Sequence, residues 1–153
     1  MLTNNLSSNS IVNNKSENPS VDELLKRGND KFNQGHFQEA IQDYNAVIII
    51  SETTNDKKAA VLVNRAAAKA SLGYFQEAIE DCNSAFATSN ITNNTKAMAL
   101  IYRANIKDLL GNFQEAIKDY DAVLAIPNMD DTLKKNALHN RATIMMFQEL
   151  TLK

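Results

Sequence analysis

Apolar side chains recur at helical spacing in short segments, and each segment ends at a glycine or a polar run. After Gly35, for example, Phe37, Ala40, Ile41 and Tyr44 follow one another at intervals of three and four residues. This spacing places them on one face of an amphipathic helix that packs on one side only. The same pattern along most of the chain predicts an all-α fold of helices joined by tight turns.

The pattern repeats with a fixed period. The block Gly-x-Phe-Gln-Glu-Ala-Ile-x-Asp occurs at residues 35–43, 73–81 and 111–119, each copy 38 residues after the last. A second element, Leu-x-x-Arg-Gly/Ala, keeps this period from Leu24, Leu62, Leu100 and Leu138. A fixed period of this length marks a repeat protein, in which each unit buries its apolar face against its neighbours.

The period divides the chain into units 21–55, 56–92, 93–130 and a partial fourth unit 131–153, with seven helices. Gly35, Gly73 and Gly111 fall at the turn inside each complete unit, where a glycine allows positive φ. Ser20 and Glu23 fit a capping box at the start of the first helix. The fourth unit lacks the glycine turn, so we expect one helix there, over about residues 131–148.

These repeated residues resemble the tetratricopeptide-repeat family, whose unit carries Leu, Gly or Ala, a Gly-x-Phe/Tyr-x-x-Ala segment and a later aromatic at the same relative positions. The resemblance covers residues 21 to about 148. It implies an α-solenoid of antiparallel helix hairpins whose first helices line a concave groove. The family's usual unit has about 34 residues, so we expect the 38-residue period to add about one helical turn at each junction.

Two opposite charges repeat together. The arginines are Arg27, Arg65, Arg103 and Arg141, and the aspartates are Asp43, Asp81 and Asp119. A charge found in every unit favours structural ion pairs that brace the hairpins, with partner recognition as the alternative. The fourth unit has no aspartate at this repeat position, and we expect Arg141 to pair with Asp119.

The resemblance also assigns residues to the groove, where the side chains differ from unit to unit. They are Lys26, Asn29, Asn33, Val63, Asn64, Met98, Ile101, Tyr102, Asn105, His139 and Asn140, with Ala67, Ser71 and Thr143 beside them. An asparagine both donates and accepts, so such a row could bind the backbone of an extended peptide, while Tyr102 supplies stacking area. Val63, Ile101 and Met98 would form specificity pockets. The alternative is that these asparagines are merely solvated.

One subset of the family, the co-chaperones, clamps the acidic C-terminal tails of chaperones with two asparagines and three basic residues. Asn29 and Asn64 match that pattern. Leu25, Met98 and Tyr102 stand where the basic residues would be, so most of the positive charge that holds two carboxylates is missing. Binding of acidic tails is therefore an alternative to recognition of another kind of peptide.

Charge and composition narrow the class of partner. The 153 residues carry a formal net charge of −2, and the groove residues include one lysine, which disfavours nucleic acid and membrane surfaces. Cys82 is the only cysteine, so a reducing compartment such as the cytoplasm is expected. It replaces Tyr44 and Tyr120 in the repeat, which predicts a buried thiol.

Residues 1–20 contain six Asn and five Ser, a composition that predicts a disordered tail. His36 and His139 are isolated histidines, and no metal, cofactor or catalytic motif occurs. We therefore expect a protein-interaction adaptor and no enzyme. The alternative is self-association as a homo-oligomer through the last helix, which has no following helix to cover Ile144, Met145, Phe147 and Leu150.

Overall fold

A computed structural model describes residues 18–151, and within this range the chain forms seven α-helices and no strand. Residues 1–17 of the predicted tail lie outside the described residues. The helices are α1 (Val21–Asn33), α2 (Phe37–Ile49), α3 (Asn55–Ser71), α4 (Phe75–Ala87), α5 (Asn93–Leu109), α6 (Phe113–Leu124) and α7 (Asp131–Thr151). The predicted all-α fold of helix hairpins is confirmed.

Polar side chains start the first helix of each complete unit. Ser20 and Glu23 form the predicted capping box at α1. Thr54 and Thr92 each accept a hydrogen bond from the backbone N–H three residues further on, at the starts of α3 and α5. These side chains satisfy N–H groups that have no partner inside the helix.

The glycine turns have the geometry that the repeat predicts. Gly35, Gly73 and Gly111 have φ values of +80°, +81° and +75°, a region that other residues adopt only with strain. No glycine interrupts the fourth unit, and α7 therefore continues through Phe147 to Thr151, slightly beyond the predicted end.

The helices stack so that the two members of each hairpin lie in different layers. Consecutive helices pack together, and α1, α3, α5 and α7 also contact one another in order. The second helices α2, α4 and α6 make no such contacts among themselves within the described residues. Since the first helices lie closer together, they form the inner, concave wall of the stack.

A small residue is needed where the two helices of a hairpin cross. Gly28, Ala66 and Ala104 share one repeat position, and all three are buried. A Cβ atom on Gly28 would lie 2.8 Å from Cε1 of the buried Tyr44 ring, so an alanine there would require the ring to shift. Ala142, at the same position of α7, is exposed because no second helix covers it in the part of the chain that the structure describes.

Candidate functional site

The repeated arginines and aspartates meet inside each complete hairpin. The arginine of the first helix donates its Nε–H to the aspartate of the second helix at 2.8–2.9 Å: Arg27 to Asp43, Arg65 to Asp81 and Arg103 to Asp119. The three aspartates are 4–5% exposed. A lysine one turn further along the first helix also reaches each carboxylate, at 3.1, 2.8 and 2.8 Å for Lys31, Lys69 and Lys107.

The arginines also reach back to the preceding hairpin. Arg65 donates to Asn45 at 2.6 Å, Arg103 donates to Asn83, and Arg141 donates to Asp121 at 2.6 Å. The prediction that Arg141 pairs with Asp119 was wrong. Asp119 already binds Arg103 and Lys107, and Asp121 occupies the repeat position of the two asparagines. These charged groups bind one another within and between hairpins, which favours the structural role over partner recognition.

Hydrogen bonds in the first and third clusters favour the charged forms of Asp43 and Arg103. The hydrogen bond from Arg27 is the largest cause that lowers the pKa of Asp43, and it outweighs the opposing effect of burial. The hydrogen bond to Asp119 likewise raises the pKa of Arg103. Both ion pairs are therefore present at neutral pH.

Two residues that were assigned to the groove are buried in the core. Val63 is 0% exposed and packs with Ala59, Ala85 and Ala99, and Ile101 is 3% exposed in the cluster around Tyr120. Their assignment to specificity pockets was wrong. An inner helix such as α3 or α5 is contacted by its hairpin partners and by both neighbouring inner helices, so its free face is narrower than the resemblance implies. Met98 is half-buried against the same core as Val63.

Asparagines of neighbouring inner helices are hydrogen-bonded to one another and to a buried tyrosine. Asn29 Oδ1 accepts from Tyr44 Oη at 2.9 Å and from Asn64 Nδ2 at 3.2 Å. The last junction has the same arrangement, in which Asn105 accepts from Tyr120 and, at 3.1 Å, from Asn140. These side chains are held in place by the fold, which argues against their being merely solvated.

The middle of the stack departs from this arrangement. Ala67, Cys82 and Tyr102 occupy the positions that Asn29, Tyr44 and Asn64 hold one unit earlier. The small Ala67 and the Tyr102 side chain, which is 36% exposed, both face the space at this junction. A cavity of about 280 Å³ results, lined by Asn29, Phe32, Asn33, Tyr44, Asn64, Ala67 and Tyr102.

The cavity combines amide and aromatic groups without a charged residue in its lining. Burial is the largest cause that raises the pKa of Tyr44, to about 12, so its hydroxyl remains a donor to Asn29. Sequence reasoning missed Phe32 and Tyr44. Phe32 could have been found from its helical spacing with Asn29, but Tyr44 belongs to a second helix, which the resemblance does not assign to the groove.

The remaining predicted groove residues lie away from this cavity. Lys26 is exposed, with Nζ 2.7 Å from Asp30 Oδ2. Asn105 and His139 are exposed on α5 and α7, and Asn140 is half-buried. The lysine expected in the groove therefore has an acidic neighbour on its own helix, which reduces the positive charge offered to a ligand.

Residues 18–151 hold neither a metal-binding cluster nor a membrane-spanning helix. No group of three potential metal ligands lies close together in this range, and none of its helices is long and apolar enough to cross a membrane. Cys82 is buried as predicted, and burial raises the pKa of its thiol to about 12. The thiol is therefore protonated and a poor nucleophile at neutral pH.

No protein-family model matches the sequence, and no curated protein does. Solved structures do match. The first TPR of Spaghetti (RPAP3), bound to an HSP90 peptide, is 28% identical with a TM-score of 0.66, and the match covers 84% of this chain and 93% of that one. The first TPR domain of human RPAP3 is 29% identical with a TM-score of 0.65, over 82% of this chain and 90% of that one.

A more distant match shows the same architecture. The Sgt2 TPR domain from Aspergillus fumigatus is 19% identical with a TM-score of 0.65, and the match covers 86% of this chain and 83% of that domain. At this identity the likeness concerns the fold alone. The three structures agree with the helix hairpins that the 38-residue period predicts.

Proposed function

This chain is a tetratricopeptide-repeat domain, and from that premise we propose that it is a protein-interaction adaptor that binds an extended peptide in its concave groove. The observation that carries the proposal is the cavity between α1, α3 and α5, to which three consecutive units contribute side chains. A concave site of this kind, with a few polar groups among aromatic ones, is the usual form of a binding site. In this proposal the chain acts in the cytoplasm by binding a partner, and it catalyses no reaction.

The groups in the cavity suit a peptide backbone. Tyr44 and Asn64 occupy Oδ1 of Asn29, whereas the Asn29 amide N–H groups and Oδ1 of Asn64 have no hydrogen bond within the described residues and are available to a ligand. An amide that donates and one that accepts match the carbonyl and N–H groups of an extended chain. Phe32 and Tyr102 add aromatic surface for one apolar side chain. Because the fold already orders these groups, little entropy is lost on docking.

The lack of basic residues at three groove positions indicates the charge of the peptide. The Spaghetti domain is bound to the acidic HSP90 peptide SRMEEVD. In this chain Leu25, Met98 and Tyr102 stand at the positions where the family's acidic-tail binders carry basic residues, and the cavity lining is neutral. We therefore propose a peptide recognised by neutral polar and aromatic contacts, with an acidic tail as the weaker candidate. Its affinity should depend little on salt.

A peptide-display selection followed by calorimetry tests this proposal. We expect the selected peptides to be no more acidic than the starting library. Replacement Asn64→Ala or Tyr102→Ala should weaken their binding roughly tenfold, the effect of about 1.4 kcal/mol for one lost hydrogen bond or stacking contact.

Asn140→Ala is the matched control, because Asn140 makes the same inter-helix hydrogen bond as Asn64 but lies outside the cavity. It should leave the affinity unchanged. Equal losses in both variants, or a selection that yields only acidic C-terminal tails, would contradict the proposal.

Self-association is a second candidate role, favoured by a separate observation on α7. Met145, Met146, Phe147 and Leu150 are 39–73% exposed, whereas Ile144, which was expected to be exposed, is buried at 3%. Large exposed apolar side chains on α7, the last described helix, are a feature of interaction sites. Light scattering over a range of concentrations tests this role, and a constant monomer mass would exclude it.

A further inference from the structure

One face of α7 is open where the corresponding faces of the other inner helices are covered. Leu138 is 47% exposed, while Leu24 and Leu100, at the same repeat position, are 5% and 2% exposed. Ala142 is exposed, but its equivalents Ala66 and Ala104 are buried. The cause is that no second helix follows α7 within the described residues.

The open face carries a continuous stripe of side chains. Leu138, Arg141, Ala142, Met145, Gln148 and Glu149 follow one another at helical spacing. A shallow cavity of about 310 Å³ runs beside this stripe between α6 and α7, lined by Gln114, Ile117, Arg141, Met145, Gln148 and Glu149. A helix laid against α7 could cover both the stripe and the cavity.

The charges on the stripe are arranged symmetrically about Met145. Arg141 lies four residues before Met145, and Glu149 lies four residues after it. Arg141 donates its Nε–H to Asp121, and 32% of its side chain remains exposed. Glu149 makes no ion pair within the part of the chain that the structure describes. The stripe therefore presents a cation at one end, an anion at the other and an apolar side chain between them.

We propose that this stripe is an isologous interface, in which the α7 helices of two copies pack antiparallel about a two-fold axis at Met145. In that arrangement Arg141 lies at the level of Glu149 of the partner subunit, and the pair forms twice. A two-fold interface requires a surface complementary to itself, and the opposite charges at equal distances from Met145 meet that requirement. The inference rests on the proposed self-association and names its partner as a second copy of this chain.

The dimer has a functional consequence and a limited strength. Two concave grooves would be joined in one particle, so a ligand with two copies of a binding motif would gain avidity. The interface involves about one helix per copy and falls at the small end of specific interfaces, under about 1,200 Å². The dimer should therefore dissociate on dilution.

Disulfide trapping tests the position of the axis. The variant Met145→Cys places a thiol on the proposed two-fold axis. The axes of packed helices lie about 8–10 Å apart, and each Cα atom lies about 2.3 Å from its helix axis. Two Cα atoms that face each other on the two-fold axis are therefore close enough for a disulfide. With oxidised glutathione as the oxidant, we expect a covalent dimer to form rapidly. The matched control is Met146→Cys, at a position that is 64% exposed and one residue outside the stripe. Equal cross-linking of both variants, or none in either, would overturn the proposed register.

Analytical ultracentrifugation of the wild type and two charge variants distinguishes the antiparallel pairing of α7 from self-association in general. Glu149→Arg should weaken the dimer at least tenfold, whereas Asn136→Arg, an exposed change on the opposite face of the same helix, should leave it unchanged. A wild type that remains monomeric at high concentration would contradict self-association itself. A wild-type dimer that Glu149→Arg leaves intact would overturn only the antiparallel pairing.

Discussion

The complete hairpins and α7, the last described helix, carry the same repeated residues in different surroundings. Leu100 and Leu138 share one position of the 38-residue period, yet Leu100 is 2% exposed and Leu138 is 47% exposed. The helical pattern of the two segments is alike, and the difference comes from the second helix that follows α5 but does not follow α7 within residues 18–151. In this chain the neighbouring unit therefore decides whether a repeated residue belongs to the core or to a surface that can bind.

The arginines and the groove show the same dependence. Arg103 bridges two hairpins, while Arg141 binds only the preceding one, within the described residues. The asparagine pair of the first junction lies beside Tyr102 of the third unit and so lines a cavity. The equivalent pair of the last junction has no later unit within the described range. Both the strength of a contact and the presence of a site depend on how many units follow.

The largest expected difference between the two regions concerns the repeated leucine. Leu100→Ala should lower the free energy of unfolding by about 3 kcal/mol, because it leaves a cavity in a closed core. Leu138→Ala should cost less than about 1 kcal/mol, since half of that side chain already contacts solvent. Urea denaturation in dilute solution measures both values. Similar costs at the two positions would mean that α7 is covered in solution.

At the repeated arginine the loss of unfolding free energy should again be larger in the complete hairpins than in α7, but the difference should be smaller. Arg103→Ala removes the main partner of the buried Asp119, although Lys107 remains 2.8 Å from that carboxylate, and we expect a loss of about 2 kcal/mol. Arg141→Ala frees only Asp121, which is 52% exposed, and should cost less than about 1 kcal/mol. The same denaturation experiment applies. A larger loss for Arg141→Ala would contradict the structural role assigned to the interior clusters.

The smallest effect concerns the thiol of the interior hairpin. Burial raises the pKa of Cys82 from 9.0 to about 12, so between these values the unfolded chain releases a proton that the folded chain retains. The stability that Cys82 contributes is complete below about pH 9 and is lost as the pH rises towards 12, by about 1.5 kcal/mol at pH 10. The free energy of unfolding of Cys82→Ala should fall less than that of the wild type between pH 8 and 10, and parallel curves would contradict the buried thiol.

The sequence was sufficient for the helices and their order, and it was not sufficient for the site. The period located the turns at Gly35, Gly73 and Gly111 because a helix and a positive-φ turn are local properties. The errors at Val63, Ile101 and Arg141 all depend on which neighbours surround a residue in three dimensions. The cavity was missed for the same reason, since it needs Tyr44 of a second helix and Tyr102 from two units further along.

The central claim is that the groove between the first three units binds a peptide, and an NMR titration with a selected peptide tests it most directly. We expect the side-chain amide signals of Asn29 and Asn64 and the backbone signal of Tyr102 to move together as peptide is added. The amide signals of Asn105 and Asn140 should stay in place. Shifts confined to α7 or to the second helices would contradict the claim and would locate recognition outside the groove.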